Sequence, residues 1–80
     1  MADPEISQLR WRCRRGMKEL DLLLLRYVEQ EYPDSGTESK RAFRRLLSMP
    51  DPEILNLLTG RSVAENSDLA AIIESLLKRD

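Results

Sequence analysis

Histidine is absent from this 80-residue chain, cysteine occurs once (Cys13), glycine three times and tryptophan once. Without histidine there is no Ser-His-Asp triad, no Cys-His dyad and no Cys/His metal site. A lone cysteine excludes a disulfide within the monomer. The apolar runs, Leu22 to Leu25 among them, fall far short of the roughly 18–20 residues that a membrane span needs. Asp3 and Glu5 near the start are unlike a signal peptide or an acid-poor transit peptide. A reduced cytoplasmic compartment is the expectation.

What is present reads as one small globular domain over residues 1–80. The apolar fraction is 41% and the charged fraction 34%. A chain of this size buries only about 60–65% of its unfolded surface, enough for one core and hardly for a deep catalytic cavity. The formal net charge is −1, which argues against a polyelectrolyte sleeve for nucleic acid. The distribution is uneven, however. Arg10, Arg12, Arg14, Arg15 and Lys18 follow one another with no acid between them. Arginine dominates the basic set, favouring fork-shaped contacts with carboxylate or phosphate.

Helical periodicity recurs five times, separated by short breakers, and no segment sustains period-2 alternation. Asp3-Pro4 opens the first helix as N-cap and first-turn proline, with Ile6, Leu9 and Cys13 on one stripe that Gly16 interrupts. A second helix is expected from about Met17 to Tyr32, with Leu20, Leu23, Leu24, Tyr27 and Val28 inward and Pro33 as its stop. Ser35-Gly36-Thr37-Glu38 fits a capping box opening a third helix, with Phe43, Leu46 and Leu47 inward. Asp51-Pro52 repeats the first opening device, and the fourth helix (Ile54, Leu55, Leu58) ends at Gly60. After a polar stretch from Arg61 to Asn66, either Asn66 or Ser67 caps a last helix with Leu69, Ile72, Ile73, Leu76 and Leu77 on one buried stripe. The expected fold is all-α: a compact bundle of five short helices.

The densest constellation is Trp11-Arg12-Cys13-Arg14-Arg15-Gly16-Met17-Lys18-Glu19-Leu20-Asp21. Gly16 falls between two helices, where the chain needs a positive φ or the close approach of another backbone. Glu19 stands in the first turn of the second helix, which favours a carboxylate. If the helices meet at a corner, Arg14, Arg15, Glu19 and Asp21 form a cluster of both signs that suits a protein partner. The alternative is a plain helix corner with a satisfied Arg–Glu pair and solvated arginines. Trp11 lies off the apolar stripe and is either an interface anchor or a lid on the core edge. Cys13, on the stripe, reads as a buried structural thiol. Glu19 and Asp21, like Glu29 and Glu31, are two residues apart and do not share a helix face, so no paired acid/base site emerges. The Asp51 loop reads, on the residues alone, as a helix start with a good cap.

The same eleven residues resemble the signature of the SdhE-type flavinylation factors of succinate dehydrogenase, whose recurrent feature is R-G-x-x-E. The likeness continues through Glu31-Tyr32, Lys40-Arg41-Ala42-Phe43-Arg44-Arg45-Leu46-Leu47 and Asp51-Pro52-Glu53, covering most of the chain from about Leu9 to Leu77. One departure is visible: relatives often carry a tryptophan in the fourth helix, where this chain has Leu57 or Leu58. The resemblance implies a five-helix protein that is not itself an enzyme. It implies promotion of covalent FAD attachment to a histidine of the flavoprotein subunit of succinate dehydrogenase or fumarate reductase. FAD would not be held stably by this chain, whose compartment would be the bacterial cytoplasm. Arg15, Gly16 and Glu19 occupy the motif positions, Arg14, Asp21 and Trp11 extend it, and Asp51 would lie on or near the same face. A monomer without nucleic-acid partner or membrane span is expected. The competing reading is an antitoxin-like or nucleic-acid-binding regulator using the Arg10–Lys18 cluster, with Trp11 for stacking. An enzyme reading ranks third, lacking both a base and a cavity.

Overall fold

Pro4, whose fixed φ suits a first helical turn, begins helix α1 (Pro4–Arg12) in the computed structural model, which describes residues 4–78. Asp3, the expected cap, lies outside the described residues. Leu9 and Cys13 are buried and Ile6 packs partly against the core, as their spacing requires. Helix α2 (Lys18–Gln30) follows, with Met17 as its N-cap. Leu20, Leu24, Tyr27 and Val28 are buried, while Leu23 is only partly covered.

The second helix ends earlier than its periodicity suggests. Pro33 disfavours α conformation before it, so Tyr32–Asp34 forms a single 3₁₀ turn instead. Tyr32 is thereby swung into the core, its ring 5.7 Å from that of Phe43 and its hydroxyl bonded to the Glu5 carboxylate. This turn also removes the capping box. The Ser35 hydroxyl donates back to the Glu31 carbonyl (2.8 Å), and Gly36 becomes the N-cap of α3 (Thr37–Leu47) without a side-chain cap bond. Ala42, Phe43, Leu46 and Leu47 of α3 face inward, and Phe43 stacks on Tyr27 with centroids 4.6 Å apart.

Helix α4 (Asp51–Thr59) starts one residue earlier than an Asp51 cap would place it. Pro50 is the N-cap and Asp51 lies inside the first turn, which leaves the Asp51 carboxylate for another partner. Gly60 ends α4 at φ +82°, and the N–H groups of Gly60, Arg61 and Ser62 all donate to the Asn56 carbonyl. Asn66, rather than Ser67, caps α5 (Ser67–Leu77): its Oδ1 accepts from the Leu69 N–H at 2.8 Å.

Helix α5 packs against α2, α3 and α4 through Leu69, Ile72, Ile73 and Leu76. Leu77 departs from the expected stripe. As the last residue of the helix it has no element over it, and 51% of its surface is exposed. The last turn of α5 carries no basic residue of its own. Arg26 of α2 supplies one, donating to the carbonyls of Ser75 (3.0 Å) and Leu76 (3.2 Å), where the helix dipole favours a cation. The fold is thus all-α, five helices and a 3₁₀ turn, with no strand among the described residues. None of these helices is long and apolar enough to cross a membrane.

Candidate docking site

The corner between α1 and α2 is built mainly by backbone. The Cys13 N–H returns to the Leu9 carbonyl (3.0 Å) and the Arg14 N–H to that of Trp11 (3.1 Å), closing α1. Gly16 then takes φ +83°, a left-handed conformation that costs an L-residue roughly 1–2 kcal/mol. A Cβ added at Gly16 would meet nothing within 4 Å. The positive φ is therefore the reason for glycine within this chain, and its outer face lies open to whatever approaches. Asp21, from the first turns of α2, reaches back and accepts the Arg15 N–H at 2.8 Å, which fixes the entry into the helix.

Arg15 is turned inward. Its guanidinium bridges three groups at the α3–α4 junction: the Leu47 carbonyl, the Met49 carbonyl (2.8 Å) and the Asp51 carboxylate (3.0 Å). Only 12% of the side chain is exposed. Fork geometry explains the choice of arginine, because one planar group satisfies a helix C-terminus, a turn carbonyl and a carboxylate together. The corner and the Asp51 loop, far apart in sequence, are thus held on one face. Asp51 acts there as an anchor for Arg15 rather than as a cap.

Glu19 and Arg14 do not join that cluster. Glu19 is exposed in the first turn of α2, beside Gly16 and Lys18. Arg14 points outward and sits over the indole of Trp11, 5.1 Å from the ring centroid. Trp11 is 71% exposed, which decides against a lid over the core. The expected four-residue cluster is therefore split. Arg15, Asp21 and Asp51 form a partly buried internal lock, while Trp11, Arg14, Gly16 and Glu19 present themselves outward. Sequence spacing could not separate the two groups, because the direction of Arg15 depends on Met49 and Leu47, more than thirty residues away.

Cys13 is buried beneath the corner. Burial pushes its thiol pKa from 9.0 up to about 11, with Arg15 opposing, Asp21 reinforcing and Arg12 opposing. The buried-thiol reading therefore holds. A raised folded-state pKa favours the protonated form, so its contribution to stability is complete below about pH 9 and is lost as pH rises toward 11. Alkylation by iodoacetamide at pH 8 is expected to be negligible in the native protein and rapid in denaturant, as read by mass spectrometry. Fast labelling of the native protein would contradict this burial.

Two open grooves flank the corner, and sequence reading missed both. One, of about 410 Å³, runs between α1 and α2 and involves Arg10, Trp11, Arg14, Leu22 and Leu25. The other, of about 460 Å³, lies between the start of α2, α4 and the end of α5 and involves Met17, Glu19, Leu20, Leu55, Leu58 and Leu77. Leu22 and Leu77 carried a signal. Leu22 is off the inner stripe of α2, and Leu77 stands at the end of its helix. Among the described residues, no group of three or more His, Cys, Asp or Glu is placed to hold a metal ion.

The family model described as flavinator of succinate dehydrogenase matches residues 7–80. The FAD assembly factor SdhE of Colwellia psychrerythraea is 40% identical over 73 residues, covering 91% of this chain and 80% of that protein. That of Idiomarina loihiensis is 42% identical over 72 residues, covering 90% and 80%. That of Coxiella burnetii is 39% identical over 77 residues, covering 95% and 94%. The match runs from within α1 through α5 and includes the Arg15-Gly16 corner, and the chain belongs to the family of succinate dehydrogenase flavinators.

Proposed function

We propose that this chain is an FAD assembly factor. It promotes covalent attachment of FAD to the flavoprotein subunit of succinate dehydrogenase, and of fumarate reductase where that enzyme is a client. It does so by docking its corner on the immature subunit as a monomer. The family match supports the activity. The observation that carries the docking is the open, left-handed turn at Gly16, flanked by the exposed Glu19 and braced from behind by Arg15. A turn without a side chain lets a partner backbone come close, and Glu19 supplies a charge beside it.

The division of labour follows from composition. This chain has no histidine, so a histidine acceptor for the flavin would belong to the partner. The contribution of the factor is orientation: it holds the partner in a conformation that aligns bound FAD with its acceptor, and supplies no reacting group. A nucleic-acid reading is less well supported, because the basic cluster is partly spent. Arg15 is turned inward and Arg10 is paired with Glu29 at 3.2 Å.

Co-expression with the flavoprotein subunit tests this, with covalent flavin followed by in-gel fluorescence. Glu19→Ala removes an exposed side chain and is expected to change stability by less than about 0.5 kcal/mol. Covalent flavin is expected to fall about tenfold, the effect of losing one interface anchor. Unchanged flavinylation would remove Glu19 from the docking surface.

A further inference from the structure

The groove between α1 and α2 has features that the corner does not use. Trp11 and Leu22 are 71% and 57% exposed, and both open onto it. Large apolar side chains standing together in water on so small a protein mark an interaction surface rather than an incidental exposure. The indole is also pre-positioned, since Arg14 lies over it. Charge points the same way. Of the two arginines that line the groove, Arg10 has a carboxylate at 3.2 Å (Glu29), whereas Arg14 has none within 4.0 Å among the described residues. Its guanidinium lies over the indole, leaving its charge available at the groove edge.

We propose that this groove is a second docking element, taking a segment of the partner flavoprotein subunit in which an apolar side chain neighbours an Asp or Glu. The apolar side chain seats against Trp11, Leu22 and Leu25, and the carboxylate pairs with Arg14. The inference rests on the docking reading above and extends it from the Gly16 corner to the adjoining face. A peptide fits better than single-stranded nucleic acid. Among the described residues that line it, Trp11 is the one aromatic and the facing wall (Leu22, Leu25) is aliphatic, so the row of stacking platforms that single strands use is missing. An acidic-apolar segment instead matches each surface: cation to carboxylate, aliphatic wall to side chain.

The test is titration of purified flavoprotein subunit, lacking covalent flavin, into the labelled chain and its variants. Leu22→Asp and Arg14→Glu change exposed positions, and their thermal melts are expected to match the unsubstituted chain. Each is expected to weaken binding about tenfold or more, the Arg14→Glu loss shrinking as salt rises. A second readout needs no substitution in the groove. Trp11 is the sole tryptophan, so incorporated 5-fluorotryptophan gives one ¹⁹F resonance, expected to shift when the subunit binds. Undiminished binding by Leu22→Asp and an unmoved resonance, with Glu19→Ala still impaired, would overturn the groove and leave the corner intact. Failure of the unsubstituted chain to bind the subunit would overturn the docking reading and the groove with it. Binding of a single-stranded oligonucleotide that Arg14→Glu abolishes would reassign the groove to nucleic acid and equally overturn the proposal.

Discussion

Arg15→Ala is expected to destabilise the fold by about 3 kcal/mol, the scale for breaking a largely desolvated ion pair together with its hydrogen bonds. In a domain of this length that corresponds to a fall in Tm of roughly 12–24 °C. The reason lies in what Arg15 joins. Its guanidinium reaches the Leu47 and Met49 carbonyls and the Asp51 carboxylate, so one truncation leaves two carbonyls and a carboxylate without their donor. Arg15→Lys keeps the charge and loses the fork, and about half the penalty is expected. Asp51→Asn neutralises the one charged acceptor, leaves both carbonyls bonded and is expected to cost about 1 kcal/mol. Thermal melts followed by circular dichroism rank the three variants. A Tm for Arg15→Ala within a few degrees of the unsubstituted protein would show that Arg15 is not a brace. Loss of flavinylation in Arg15→Ala would then report a distorted corner, whereas loss in Glu19→Ala reports a lost contact.

Gly16→Arg is expected to abolish covalent flavin on the partner subunit while Gly60→Arg preserves it. The two glycines form a matched pair. Their φ angles are +83° and +82°, and neither has an atom within 4 Å of where a Cβ would stand. Each substitution therefore carries the same left-handed penalty, roughly 1–2 kcal/mol, and neither Cβ meets a clash. Any difference in flavinylation must come from where the new side chain stands. At Gly16 it covers the open turn between Arg15 and Glu19; at Gly60 it projects from the end of α4 opposite Asp51. In-gel flavin fluorescence with melts on both variants makes the comparison. Equal loss in the two would assign the effect to stability, and equal retention would remove Gly16 from the docking surface.

The helical architecture was legible because the apolar spacing is strong and the breakers are specific. Leu20, Leu24, Tyr27 and Val28 can share a face only at helical period, and Gly60 and Asn66 each match one terminal conformation. Errors fell where two local devices competed. Ser35 could cap α3 or close the 3₁₀ turn at Pro33, and the turn won because Pro33 had already ended α2. Asp51 could cap α4 or meet Arg15, and a charged donor from across the fold took it.

The candidate site divides in the same way. The residues from Trp11 to Asp21, and their kinship to a flavinator family, can be read without coordinates, because an uncommon run of side chains around Gly16 is itself the signal. Direction was beyond that reading. Only packing turned Arg15 inward against the α3–α4 junction, left Trp11 and Leu22 facing water, and placed Asp51 behind the corner. Those outcomes depend on contacts between residues distant in the chain, and local periodicity carries no information about which of two charged neighbours will find a partner.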